Sequence, residues 1–315
     1  LLKLNDSWVW DSWYVFDGEN HHAFFLRASR ALGDPHRRHR QPYIGHAISK
    51  DLKNWTLLQD AIAISDPPAF DSWTTWTGSV IKGDDGLWWM FYTGTSREDG
   101  GDVQKVGAAK SKDLISWVKV SSEALVEADP KHYEMLDYSK WHDQAWRDPW
   151  VFKHEDGKWH MFITARVNND SLDTRDRGTL GHAVSTDLIS WKVQPPLISG
   201  ASGFGQLEVF QVEEIDGKAV LLWCCGTDEL SAASKQKFGE GGMFSVTGES
   251  LLGPFDMTKA TRFPHPSIYA ARAVKHEGKW FMLGFINEVN GKFVGEICDP
   301  IPLKVSGTGL IVSLD

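Results

Sequence analysis

Three acids stand in settings that repeat. Asp11 lies in Trp10-Asp11-Ser12-Trp13, Asp148 in Arg147-Asp148-Pro149 and Glu208 in Gln206-Leu207-Glu208-Val209-Phe210, and each precedes a short apolar run that ends in an acid-Gly turn. An acid at the start of an apolar strand is unfavourable to bury unless it is paired or used. Three such carboxylates brought together suit cleavage of a glycosidic bond: one acid protonates the departing oxygen, another attacks or activates water, and the third holds sugar hydroxyls. A structural network with Arg147 or Arg272 is the bland alternative. A Ca²⁺ site would need more oxygen ligands than these, and no Asp-rich loop supplies them. No Ser-His-Asp or Cys-His pattern competes, nor does a phosphate-cradling glycine loop.

The elements that must position the acids are legible as a repeat. An acid-Gly pair between two runs rich in Val, Phe, Trp, Ile and Leu marks a tight β-hairpin, and it recurs at Asp17-Gly18, Asp85-Gly86, Asp156-Gly157, Asp216-Gly217 and Glu277-Gly278. A second unit, Gly-[His/Ala]-Ala-x-Ser-x-Asp-Leu-x-x-Trp, follows the first three hairpins, from Gly45 to Trp55, Gly107 to Trp117 and Gly181 to Trp191. Its Ser and Asp predict a turn and its Trp a return to the core. The fourth copy diverges, and the fifth keeps only Phe293-Val294-Gly295-Glu296. With about four strands per repeat and no sustained helical periodicity, the chain reads as all-β, a five-bladed β-propeller in one domain, 1–315. A β-sandwich would not explain five matched hairpins.

In a propeller the first strand of each blade lines a central channel. Asp148, Glu208 and Tyr269 each lie nine residues before their hairpin glycine, Asp11 lies seven before Gly18, and Trp76-Thr77-Gly78-Ser79 takes the corresponding place in blade two. The basic run His36-Arg37-Arg38-His39-Arg40 reads as a solvated loop. The long stretch from Ser121 to Trp146 is expected to shape a pocket beside Arg147-Asp148.

Composition narrows the ligand. A formal net charge of −9 argues against attraction to nucleic acid or to an anionic membrane, so a neutral or weakly charged ligand fits better. Sixteen Trp offer flat faces for sugar rings, although core filling accounts for most of them. Three Cys, two of them adjacent, make neither a disulfide framework nor a metal-ligand spacing, and no cofactor is expected. No apolar run is long enough to cross a bilayer, and the first residues lack the order of a signal peptide. The compartment is left open.

Val9-Trp10-Asp11-Ser12-Trp13, Trp76-Thr77-Gly78-Ser79, Trp146-Arg147-Asp148-Pro149 and Gln206-Leu207-Glu208 resemble the sequential motifs of the levansucrase and invertase clan of furanosidases. The resemblance covers nearly the whole chain and implies the same five-bladed fold. It implies Asp11 as nucleophile, Asp148 as transition-state stabiliser and Glu208 as acid/base, acting on a fructoside or another furanoside. Trp10, Trp76 and Tyr269 are expected to wall the pocket, Ser79 and Arg147 to bond ring hydroxyls, and Gln206 to orient the leaving group. Two departures stand out. Glu-Val-Phe replaces the Glu-Arg-Pro or Glu-Cys-Pro-Asp of the main families, and the sequence ends after five blades, where typical invertases carry a further β-sandwich, so a minimal member is expected. An inverting arabinanase- or xylosidase-like furanosidase and a sugar-binding propeller lectin remain as alternatives.

Overall fold

The computed structural model of the chain describes residues 1–265 and 267–314. Blade one is β1 (Ser7–Phe16), β2 (His21–Ser29), β3 (Tyr43–Ser49) and β4 (Thr56–Leu57); blade two is β5 (Thr74–Lys82), β6 (Trp88–Thr95), β7 (Lys105–Ser111) and β8 (Trp117–Lys119). Blade three follows with β9 (Trp146–Lys153), β10 (Trp159–Arg166), β11 (Gly178–Ser185) and β12 (Trp191–Gln194), and blade four with β13 (Glu208–Ile215), β14 (Lys218–Cys225), β15 (Gly242–Gly248) and β16 (Thr261–Arg262). Blade five begins with β17 (Ile268–His276) and β18 (Lys279–Ile286). A small ribbon of β19 (Glu288–Val289) and β20 (Lys292–Phe293) intervenes before β21 (Ile301–Ser306) and β22 (Gly309–Val312). Each blade is an antiparallel sheet in chain order, and every predicted hairpin joins the inner two strands of its blade. Among the described residues there is one α-helix, α1 (Ala232–Phe238), and no helix is long and apolar enough to cross a membrane.

The ring closes where Leu2 and Ile297 of blade five exchange backbone hydrogen bonds of 3.1 and 3.0 Å. Blade five is also where the structure departs most from the repeat. Residues 295–298 run beside the upper half of β18, but Phe293 belongs to the ribbon, and the outer strands are β21 and β22, whose sequences carry none of the second unit.

The second unit earns its recurrence in a turn. Asp51 Oδ1 accepts the N–H groups of Lys53 and Asn54, Ser49 Oγ donates to the same oxygen, and Trp55 Nε1 donates to the Leu52 carbonyl at 3.1 Å. The arrangement holds Leu52 at φ 62°, costly for a branched side chain, and blades two and three repeat it with Leu114 and Leu188, both at φ 64°. Between the blades the core is aromatic: Trp89 stacks on Phe91 and Trp223 on Phe244, and Trp13, Trp89, Trp146 and Trp223 are fully buried. Core filling therefore accounts for these Trp.

A β-bulge interrupts the innermost strand of every blade. The last residues paired before it are Trp10, Trp76, Arg147, Glu208 and Tyr269, and the residues that follow, Asp11, Thr77, Asp148, Val209 and Ala270, are left out of register. Four of these five have positive φ: 23° at Asp11, 58° at Asp148, 56° at Val209 and 44° at Ala270. A bulge bends its strand and re-aims side chains, so two successive residues can face the channel where a regular strand would present one.

This register corrects the alignment by hairpin glycine. Blade three turns through 154–158, whereas blades four and five turn through two residues each, so Asp148 matches Val209 and Ala270 while Arg147 matches Glu208 and Tyr269. Asp11 and Asp148 are thus true equivalents, and Glu208 sits one position earlier.

Candidate active site

The bulges bring Asp11, Asp148 and Glu208 together around one cavity of about 600 Å³ at the channel mouth, which Trp10, Trp76, Arg147 and Tyr269 also line. Seven of the nine residues singled out in the sequence meet there. Ser79 and Gln206 do not. Past the bulge at Thr77, Ser79 turns into the seam between blades two and three, where its hydroxyl accepts the Val151 N–H at 3.1 Å. Gln206 is buried behind the wall, with its carbonyl oxygen on Arg147 Nη2. It fixes the arginine instead of facing a leaving group.

Each carboxylate has its own fastening. Thr77, the blade-two counterpart of Asp11, donates its hydroxyl to Asp11 Oδ2. Asp148 Oδ2 accepts the Thr164 hydroxyl at 3.0 Å and the Val209 N–H at 3.3 Å, with Arg147 Nε 3.6 Å away. Glu208 is held at both oxygens, Oε1 by Arg147 Nη2 and Oε2 by the Tyr269 hydroxyl, each at 2.7 Å. Two donors on two oxygens fix the plane of that carboxyl group.

Burial dominates the electrostatics. It pushes Asp11 up to about 6, the Thr77 hydroxyl pulling down against it and Glu208 pushing up again. Asp148 is pushed up to about 7 by burial, with Arg147 opposing and Asp11 and Glu208 adding to the rise. For Arg147 burial acts to lower the value, but Asp143, Glu208 and Asp148 outweigh it and hold the guanidinium above its ordinary range. Burial also raises Tyr269 well above its usual value, so its hydroxyl stays a donor to Glu208. Arg272, fully buried in blade five, donates to the Val209, Phe210 and Gly78 carbonyls and stacks on Trp150 at 4.9 Å. It ties blades four, five and two together across the axis and places a cation near Asp148 and Asp11.

Several lining residues gave no sequence signal. Gln104 and Asp143 both accept from Arg147 Nη1, at 2.9 and 3.3 Å. The long loop delivers Asp143, anchored by Glu134, which pairs with Arg166 and Arg177 at 2.8 Å each. Glu229, from the loop after β14, has its carboxyl raised to about 7 by burial and by Glu208.

The basic run is solvated only in part: His36, Arg37 and His39 are exposed, Arg40 is half-buried and Arg38 is buried. Asp34 caps a 3₁₀ turn, Pro35–Arg40, that lies over the cavity rim and contributes His36, Arg38 and His39 to it. Arg38 is buried, its guanidinium 4.0 Å from the Phe293 ring and 5.5 Å from that of Trp10. A planar guanidinium stacks on rings, which is why a charged run could fold inward.

Comparison with known proteins fits this geometry. An insoluble-isoenzyme β-fructofuranosidase of Arabidopsis thaliana is 27% identical over 244 residues, 73% of this chain and 41% of its own length. Sucrose-6-phosphate hydrolase of Bacillus subtilis (strain 168) is 31% identical over 195 residues, 61% of this chain and 34% of its own. The chain thus matches well under half the length of these relatives. Among solved structures, inulosucrase from Halalkalicoccus jeotgali bound to kestose shares the fold with a TM-score of 0.78 at 20% identity, covering 98% of this chain and 90% of that one. Bacillus subtilis levansucrase does so with a TM-score of 0.76 at 18% identity, covering 99% and 87%. The family model of the glycosyl hydrolases family 32 N-terminal domain matches residues 13–293, a span that includes Asp148 and Glu208 and begins two residues after Asp11. By that match, the chain belongs to glycosyl hydrolases family 32.

Proposed function

We propose that this propeller is the catalytic unit of a retaining β-fructofuranosidase. The observation that carries the reading is the meeting of Asp11, Asp148 and Glu208 around one cavity, each fastened in a different way. Asp11 attacks the anomeric carbon of a fructosyl unit through Oδ1, the oxygen opposite the one bonded to Thr77. The bond to the departing oxygen breaks with its electron pair on that oxygen, which takes the proton of Glu208. The product is a fructosyl ester on Asp11. Glu208, now a carboxylate, removes a proton from water for hydrolysis or from a sugar hydroxyl for transfer, and the incoming oxygen displaces Asp11. Asp148 accepts hydrogen bonds from vicinal ring hydroxyls and strengthens them as positive charge develops in the ring. Trp10, Trp76 and Tyr269 wall the sugar, Arg147 holds Glu208, and Ser79 and Gln206 support from behind.

Product chromatography after incubation with sucrose, inulin, levan and arabinan oligosaccharides tests the reading. Fructose should appear from at least one of the fructosides and no arabinose from arabinan. On the active substrate, kcat/KM should fall as pH drops through about 7 and further below about 6, because Asp148 and then Asp11 take up a proton and lose the charge that each uses. Arabinose release without fructose release would overturn the proposal.

A further inference from the structure

The hairpin between β9 and β10 lies at the end of blade three away from the cavity, and it gathers three metal-binding side chains. Asp156 Oδ1 is 3.4 Å from both His154 Nδ1 and His160 Nε2, and Oδ2 is 3.2 Å from His160 Nε2. The three ligand atoms lie within 4.8 Å of one another. Tetrahedral zinc with bonds of about 2.0 to 2.1 Å keeps its ligand atoms roughly 3.4 Å apart, so two of the three edges are already formed. The third closes with a side-chain movement of roughly an ångström.

The surroundings match what a bound ion requires. His160 Nδ1 lies 2.9 Å from His182 Nε2 with the two ring planes within 11° of each other, which pins the imidazole with its other nitrogen toward Asp156. Metal-binding histidines are commonly fixed in this way by a bond from the second ring nitrogen. Asp156 is open to solvent, giving an ion its entry and a water the fourth position. The His154 ring also lies against that of His160, and two backbone groups reach the cluster: Lys158 N–H donates to Asp156 Oδ1 at 3.0 Å, and Asp156 N–H approaches His154 Nδ1 at 3.4 Å, a long contact that a metal bond would replace.

Blade one supplies an internal comparison. There Asp17, His22 and His46 form the same chain, with His22 Nε2 3.1 Å from Asp17 and His22 Nδ1 2.9 Å from His46. A His pair and one acid are therefore enough to tie a hairpin to its sheet. Blade three, with a hairpin one residue longer, offers His154 in addition. That extra imidazole turns a tie into a three-ligand site.

We propose that His154, Asp156 and His160 bind a zinc ion that staples the hairpin of blade three, remote from the catalytic cavity. The site does not depend on which sugar is cleaved. The test uses tag-free protein stripped with a chelator: Zn²⁺ titration by calorimetry, visible absorption with Co²⁺ as probe, and thermal melting. One Zn²⁺ should bind per chain, Co²⁺ should give the intense visible bands of tetrahedral coordination, and Zn²⁺ should raise the Tm by a few degrees. His154→Ala, in a hairpin loop, should keep its metal-free Tm and its glycosidase rate but bind Zn²⁺ at least about tenfold more weakly. Asp156→Asn should weaken binding likewise. Absence of Zn²⁺ binding up to about 1 mM, where structural zinc sites are saturated, would overturn the proposal, as would equal binding by the wild type and both variants.

Discussion

Asp11→Asn should fold, melt no lower than the wild type at pH 7, and lose turnover by about 10⁴-fold or more. The fold should hold because the amide keeps the size of the carboxyl group and its oxygen still accepts the Thr77 hydroxyl. The sign of the stability change follows from the pKa. Asp11 is raised from 3.8 to about 6 in the folded chain, so the native state binds the proton more tightly than the unfolded state does. Its ionised form therefore costs the fold free energy above about pH 6, and the cost vanishes below the unfolded value of 3.8. Asparagine removes that cost. The turnover loss corresponds to about 5.5 kcal/mol of transition-state stabilisation, because an amide cannot form the fructosyl ester. Circular dichroism, thermal melts and initial rates on one preparation check all three parts. Wild-type turnover in the folded variant would remove Asp11 from the mechanism.

Glu208→Gln should separate the two halves of the reaction. The amide can still accept from Arg147 through its oxygen and donate to the Tyr269 oxygen, so the wall of the cavity should stand. It has no proton to give a sugar leaving group, and turnover of a fructoside such as sucrose should fall by about 10³-fold. Fructosyl fluoride departs without full protonation, so the first step should survive with it. The ester on Asp11 should then accumulate, because no base is left to activate water, and azide should discharge it as fructosyl azide. Equal losses on both donors, with no azide product, would show that Glu208 is not the acid/base.

How much of this could be read from the chain depends on how local each feature is. The hairpins and the Ser-x-Asp-Leu-x-x-Trp turn are closed by hydrogen bonds between near neighbours, so their residues appear in sequence at fixed spacing. The acids are legible because each precedes a short apolar run that ends in an acid-Gly turn. Their register is not, because it depends on hairpins that differ in length between blades and on bulges that only strand pairing reveals. Ser79 and Gln206 sit in the right motifs, yet the bulge and the neighbouring blade turn them away from the cavity. Arg38, Gln104 and Glu229 reach the cavity from outer connections, where no periodicity marks which side chain will point inward. Arg38 shows the limit best: its charge reads as solvent-facing, and it is buried among partners far apart in the chain, the rings of Trp10 and Phe293 and the charge of Asp11, with its Nη1 on the Pro35 carbonyl at 2.9 Å.

The central claim is a covalent fructosyl ester on Asp11, and the configuration of the first product reports on it directly. Two displacements at the anomeric carbon return the starting configuration, whereas direct attack by water inverts it. With sucrose as donor, NMR spectra recorded before mutarotation should show the released fructose first as its β-furanose anomer. If the fructose appears first as its α-furanose anomer, Asp11 activates water instead of attacking, and the retaining mechanism is wrong.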